Sequence, residues 1–344
     1  MAQSYSLGFG VGTHNQNGEW LEVFYPQPVL APSDALVAAV KSELGLGEGN
    51  QVQALSIEAI PALSVAIEAA GNAQLAATVA TFAQSERPLV ACLLSDDTAP
   101  SSVPEVYLKL QLISHRLVQP HGCKLDGMFG ILPNVAWTSE GAIDISELPA
   151  RQLSARLTGR SLSVDCIDKF PKMTDYVVPS GVRIADTSRV RLGAHIGEGT
   201  TIMHEGFVNF NAGTLGTSMI EGRISAGVVV GEGSDLGGGC STMGTLSGGG
   251  NIIISVGKES LIGANAGIGI PLGDRCIVES GLYVTAGSKV ALLDDQNQLV
   301  ENVKARDLAG KNDLLFRRNS VSGAVECKAN KSAIALNEEL HANN

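Results

Sequence analysis

The chain has 344 residues, 40 of them glycine, with 44% hydrophobic and only 4% aromatic residues and a formal net charge of −11. The glycine share, about 12% against a usual ~7%, lacks the every-third spacing of collagen, and the hydrophobic fraction is too high for a disordered chain. The acidic balance argues against nucleic-acid or anionic-membrane partners, which need clustered Lys and Arg, and no run of about 18 uncharged apolar residues predicts a transmembrane helix.

The first residues, MAQSYSLGFG, lack the basic-then-apolar layout of a secretory leader. Six cysteines are scattered without a CxxC pair, which points to reduced, mostly buried thiols in a cytoplasmic protein. Ser33 to Leu44 reads as a helix with Ser33 as N-cap and Asp34 in its first turn. Ile60 to Ala83 reads as helical with a break at Gly71, Leu89 to Leu94 as a buried strand, and Val106 to Val118 as another helix. Residues 1–118 are therefore expected to form a small α/β domain, followed by a connector over 119–175 in which no pattern stands out.

From Val178 the pattern changes. Val178, Ile184, Val190, Ile196, Ile202 and Val208 recur every six residues. The period resumes at Ile224, Val230 and Leu236, again at Val256, Ile262 and Ile268, and then at Leu272, Val278, Val284 and Val290. Of the 40 glycines, 25 lie between Gly181 and Gly287. A period of six fits neither a helix nor a long strand. It fits a short strand plus a turn, with the aliphatic residue inward and glycine or small polar residues at the corners, where positive φ is easiest for Gly. Hexapeptide repeats of this kind build parallel β-helices. The predicted fold is mainly β, a left-handed parallel β-helix over 176–292 with the α/β domain before it and an extension over 293–344. Two stretches, 209–223 and 237–251, interrupt the repeat and are expected to form loops on the binding face. Past Val290, Asp307 to Arg318 reads as a short helix.

Two histidines, His195 and His204, lie in the repeat region without a third nearby, too few for a tetrahedral metal site. Glu205, beside the first interruption, has the chemistry of a base or nucleophile if partly desolvated; a solvated turn is the plainer alternative. Lys304, Arg306, Lys311, Arg317 and Arg318 make a local basic run suited to phosphates or carboxylates, or simply to solvent.

The run Met203-His204-Glu205-Gly206-Phe207-Val208-Asn209-Phe210-Asn211-Ala212-Gly213 resembles the signature of tetrahydrodipicolinate N-succinyltransferases. So do Glu221-Gly222-Arg223-Ile224-Ser225-Ala226-Gly227, the Ser247-Gly248-Gly249-Gly250 loop and Leu261-Ile262-Gly263-Ala264-Asn265. Asp175 to Pro179 and Leu315 to Ser320 extend the resemblance, which covers roughly residues 165–340 and is with the longer, actinobacterial-like branch.

The resemblance implies transfer of a succinyl group from succinyl-CoA to the amine of 2-amino-6-oxopimelate, the ring-opened form of tetrahydrodipicolinate, in diaminopimelate and lysine biosynthesis. It implies a homotrimer with active sites between neighbouring β-helices. Glu205 then maps onto the catalytic glutamate, described in that branch as forming an acyl-anhydride; a general base for the substrate ammonium is the alternative. Gly222, Ser225, Gly263 and Ala264 fall along the path of CoA. Arg223 is a candidate for a substrate carboxylate, Asn209 a polar group near Glu205, and Arg317 a partner for a carboxylate or the CoA phosphates. Some relatives carry a divalent metal on the trimer axis, for which no cluster in the sequence assigns ligands. The rival readings are an acetyl-CoA-dependent acetyltransferase on the same scaffold and a non-enzymatic β-helix with regular coils.

Overall fold

The computed structural model describes residues 3–244 and 252–330. These divide into two compact units, residues 3–112 with 122–171 and residues 113–121 with 172–330.

In the first unit the strands run in the order Trp20–Phe24, Ser6–His14, Leu89–Leu94, Gln51–Leu55, all antiparallel, with Val29–Leu30 also on Ser6–His14. Leu89–Leu94 is buried along its whole length, as a central strand of aliphatics requires. The helix Asp34–Leu44 starts where expected, with the Ser33 side chain accepting from the Leu36 amide. Helices Ile60–Ala69 and Ala73–Ala80 flank Gly71, where φ is +90 and the chain turns back. The next helix spans Val103–Ser114, shifted toward the N-terminus from the expected span because Pro104 sits near its start. Residues within the expected connector form a three-stranded sheet, Gly141–Asp144, Val135–Thr138 and Val164–Asp168, covered by the helix Leu148–Leu157. Its strands of four and five residues are too short for a period to register.

The second unit is a parallel β-helix with three flat faces. One face stacks Ala194–Ile196, Ala212–Thr214, Val229–Val230 and Ser255–Val256. The next stacks Arg183–Ile184, Thr201–Ile202, Ser218–Ile220, Ser234–Leu236, Leu261–Ile262, Ile277–Val278 and Leu314–Arg318. The third stacks Phe207–Val208, Arg223–Ile224, Ser241–Thr242, Gly267–Gly269 and Tyr283–Thr285. Ile202, Ile220, Leu236, Ile262, Val278 and Phe316 form one continuous inward row, all fully buried. Val178 is the exception to the predicted inward set: it lies ahead of the first coil and is 74% exposed.

Two expectations are corrected. Residues 209–223 are not a loop but a full coil. The inward sequence passes from Val208 through Thr214 to Ile220, both buried and in register with their neighbours, and then steps by four residues to Ile224. A threonine in the inward position hides the period from an aliphatic count. The second interruption is likewise shorter than it reads, because Thr242 holds the inward position six residues after Leu236. Residues 245–251 of that stretch lie outside the described residues.

The segment Asp307–Arg318 is also not a helix. A 3-10 turn at Ala305–Leu308 precedes the strand Leu314–Arg318, which pairs in parallel with Ile277–Val278 and places Phe316 over Val278. Burying Phe316 as another layer of the inward row outweighs the segment's weak local preference for helix. The following strand, Val325–Ala329, returns antiparallel on it.

Both buried threonines are fully bonded. Thr214 Oγ1 accepts from the Gly197 amide at 2.9 Å and meets Thr200 Oγ1 at 2.7 Å. Thr242 Oγ1 accepts from the Ser225 amide at 3.1 Å and donates to the Arg223 carbonyl at 3.0 Å. Valine at 242 would restore the aliphatic hexad yet strip these partners. Thr242→Val is expected to lower stability by about 1–3 kcal/mol, the cost of an orphaned buried polar group, measured as the urea midpoint; a rise would refute the hydrogen-bonding role.

Candidate active site

The turns that join the second face to the third stack above one another at one corner of the β-helix. Glu205–Gly206 lies between Ile202 and Phe207, and Glu221–Gly222 one coil on. Gly238–Gly239 and Ala264–Asn265 follow in the next two coils. Backbone bonds tie the rungs together: Phe207 N–H to the Gly222 carbonyl at 3.0 Å, and Asn265 N–H to the Gly238 carbonyl at 2.9 Å. With strands spaced about 4.8 Å apart, Glu205 and Ala264 are roughly 14 Å apart along the axis.

At the lower end of this corner, Arg189, Glu205, Phe207, Gly222, Arg223, Gly239 and Cys240 line an open cleft of about 320 Å³. The Glu205 side chain is 68% exposed, and its Oε1 lies 3.4 Å from His204 Nδ1. The Glu205 backbone is held from below: Arg189 Nη2 donates to the Glu205 carbonyl at 3.0 Å and Nε to the Gly206 carbonyl at 3.1 Å. Arg189 thus fixes the turn that presents the carboxylate. The residue types alone give no signal for it, since it lies 16 positions earlier and reaches the turn only through the coil. Arg223 projects outward from the next rung, exposed and with no ion-pair partner among the described residues, while Ile224 beside it points into the core.

Gly222 is required by closeness rather than by φ. A Cβ there would run into Cys240 Sγ and the Cys240 carbonyl. At Gly263 a Cβ would meet the Ser280 amide and hydroxyl. Gly263 is buried and Ala264 exposed, so the corner presents a low, smooth ridge at this level.

The remaining sequence candidates lie elsewhere. Asn209 and Ser225 sit at the opposite corner of the third face. Asn209 Oδ1 accepts from Arg191 Nη1 at 3.2 Å and from the Phe210 amide at 2.9 Å. The Ser225 hydroxyl donates to the Thr242 carbonyl at 2.6 Å. Arg317 lies on an end strand and pairs with Glu326, Nε to Oε2 at 2.8 Å; the hydrogen bond from Asn319, and then the Arg317 contact, hold the Glu326 carboxyl below its usual range. The Ser247–Gly250 loop lies outside the described residues. His195 is buried, with Nδ1 2.8 Å from the Thr214 carbonyl, and burial lowers its pKa. Among the described residues, no group of three or more His, Cys, Asp or Glu side chains gathers within reach of a metal ion.

Burial pushes the Cys240 thiol up to about 12. Beneath Gly222 it is a protonated packing group rather than a nucleophile. Iodoacetamide at pH 8 is expected to label the exposed Cys166 and spare Cys240 until the chain is unfolded, read by peptide mass spectrometry; rapid labelling of Cys240 in the folded protein would refute this.

Residues 132–172 match the family model described as tetrahydrodipicolinate N-succinyltransferase middle, and residues 253–286 the model described as hexapeptide repeat of succinyl-transferase. The chain is 68% identical to the 2,3,4,5-tetrahydropyridine-2,6-dicarboxylate N-succinyltransferase of Pseudomonas paraeruginosa, over 100% of both chains. It is 63% identical to the enzyme of that name from Vibrio cholerae, over 99% of each. A solved structure from Campylobacter jejuni, described as a 2,3,4,5-tetrahydropyridine-2-carboxylate N-succinyltransferase, superposes with a TM-score of 0.87 at 34% identity, covering 97% of this chain and 94% of that one. No helix of the described residues is long and apolar enough to cross a membrane. Full-length identity at this level, carried on a hexapeptide-repeat β-helix whose signature runs converge on one corner, makes the chain a member of the tetrahydrodipicolinate N-succinyltransferase family.

Proposed function

We propose that the chain transfers the succinyl group of succinyl-CoA to the amine of 2-amino-6-oxopimelate, ring-opened tetrahydrodipicolinate, in the cytoplasmic route to diaminopimelate and lysine. The observation that carries this reading is the joint placement of Glu205, Gly222 and Arg223 around one cleft in a chain 68% identical to an enzyme of that name.

Glu205 is the reacting carboxylate. As a general base it takes a proton from the substrate ammonium; the amine nitrogen attacks the thioester carbonyl, the C–S bond breaks, and CoA leaves as its thiol. As a nucleophile its oxygen attacks the thioester first, CoA leaves, and the amine then opens the mixed anhydride to give the amide and free Glu205. No group other than His204 bonds the Glu205 carboxylate among the described residues, which suits either role. Arg223 pairs with a carboxylate of the substrates, since a guanidinium fork matches its two oxygens. The pantetheine arm follows the low ridge past Gly222, Gly263 and Ala264. Asn209, Ser225 and Arg317 remain candidates for the coenzyme or a substrate carboxylate, each with a polar contact already made within the fold.

A homotrimer completes the site. Within one chain the Glu205 side chain is open to water along its length, and acyl transfer to an amine needs a second wall that excludes it. A neighbouring β-helix laid along the corner supplies that wall. A metal on the threefold axis would draw ligands from all three chains; the described residues of one chain hold no cluster of three or more His, Cys, Asp or Glu for it.

Glu205→Ala is expected to cut turnover by about 10²-fold or more while the trimer persists by size-exclusion chromatography; near-normal turnover would overturn both mechanisms. A succinyl adduct on Glu205 after rapid quench, found by mass spectrometry, would select the covalent route. With 2-aminopimelate as amine, Arg223→Ala is expected to reduce the kcat/KM preference for succinyl-CoA over acetyl-CoA roughly 10- to 100-fold, the worth of a charged hydrogen bond of about 1.5–3 kcal/mol. A wild-type preference for acetyl-CoA would favour the acetyltransferase alternative.

A further inference from the structure

The corner that carries Glu205 has one irregular turn. The turns 203–206, 237–240, 263–266 and 279–282 each join the second face to the third with four residues. The turn Glu221–Gly222 does so with two. Its flanking strands stay in register with those of the coil below, Ile220 on Ile202 and Arg223 on Phe207. Two residues of the turn 203–206 therefore have no counterpart above them. That notch is the cleft, with Glu205 on one side, Gly222 in its wall, and Gly239 and Cys240 from the coil beyond. His204 and Glu205 are the exposed members of the turn beneath it.

His204 Nδ1 lies 3.4 Å from Glu205 Oε1. From the coil below, Asp186 takes the register position under His204, because Ile184 pairs with Ile202. The Ser188 hydroxyl and amide, and after them the Arg189 and His204 charges, hold the Asp186 carboxyl below its usual range. Arg189 comes from the same coil and Arg223 from the coil above; neither guanidinium has a lone pair to offer. Asp186 Oδ1 already accepts from the Ser188 hydroxyl at 2.6 Å and its amide at 3.0 Å. Glu221 turns its carboxylate toward the next coil, where a Cβ on Gly238 would lie 3.4 Å from Oε2. The imidazole is thus the group beside the reacting carboxylate best suited to take up a proton near neutral pH.

The covalent route needs such a group. Once Glu205 is part of a mixed anhydride, it has no free carboxylate with which to deprotonate the incoming ammonium, and an ammonium has no lone pair for attack. We propose that His204 is a second catalytic base, which deprotonates the substrate ammonium while Glu205 carries the succinyl group. The first proton passes to the imidazole, and the freed nitrogen lone pair bonds to the succinyl carbonyl carbon. The C–O bond to Glu205 breaks, and the returned carboxylate takes the second proton as the amide forms. One of these protons restores the CoA thiolate released earlier to its thiol, and the other passes to water. This role rests on the covalent succinyl transfer described above.

Kinetics of the full chain with His204→Gln test it. Transfer to 2-aminopimelate is expected to fall about 10²-fold in kcat, while KM for succinyl-CoA stays within about twofold. Rapid quench should then find the succinyl adduct on Glu205 accumulating in the variant. Hydroxylamine is unprotonated at neutral pH and needs no base, so with it as acceptor the deficit of the variant should shrink to about threefold. Wild-type turnover of 2-aminopimelate by His204→Gln, or an equal loss with both acceptors, would overturn the role and leave the succinyltransferase reading in place. A wild-type chain that does not succinylate 2-aminopimelate would overturn both.

Discussion

Everything in the β-helix unit depends on keeping one side chain per face above another at a spacing of about 4.8 Å. The inward row from Ile202 to Phe316 is buried without a gap, and each member packs on the rung before and after it. A β-helix has no other core, because each coil touches only its neighbours. The corners therefore have to repeat in register as well. That is why turns 16 or more residues apart in the chain stand in a column, and why the signature runs around Glu205, Gly222 and Ala264 come to the same edge.

The column also explains how small residues and function coincide. At Gly222 and Gly263 the neighbouring rung sits so close that a side chain has no room. The same closeness leaves a shallow path along the outside, bounded at one end by the Glu205 carboxylate and the Arg223 guanidinium. Packing and ligand access are two sides of one constraint on this ridge.

Much of this architecture was legible in the sequence, for reasons tied to particular residues. The six-residue recurrence of Val190, Ile196, Ile202 and Val208 marks the coils directly, because the inward position of each short strand takes an aliphatic residue at a fixed spacing, and all four are fully buried. The period was lost where chemistry replaced bulk. Thr214 and Thr242 keep the inward position by satisfying their hydroxyls inside the stack, and no aliphatic count detects them. The helix expected before Arg318 failed because Phe316 gains more as a buried layer than its segment does as an isolated turn. The connector was opaque because strands of four or five residues are too short to show alternation. Of the site, Glu205, Gly222 and Arg223 were within reach of motif reasoning. Arg189 was not, since its partners are backbone carbonyls, which carry no sequence identity.

The way the stack ends has a consequence for the life of the protein in a crowded solution. A column of parallel strands exposes an unpaired edge at its last rung, and two such edges meeting would extend one column into the next. Here Leu314–Arg318 is followed by Val325–Ala329 in the opposite direction, tied by Arg317 to Glu326, and the outermost strand of that sheet, Leu299–Lys304, carries Glu301 and Lys304. The reversal and the charges deny an incoming parallel rung its template. At this end the reversed strand, rather than another parallel rung, closes the sheet, which disfavours growth of one β-helix onto the next.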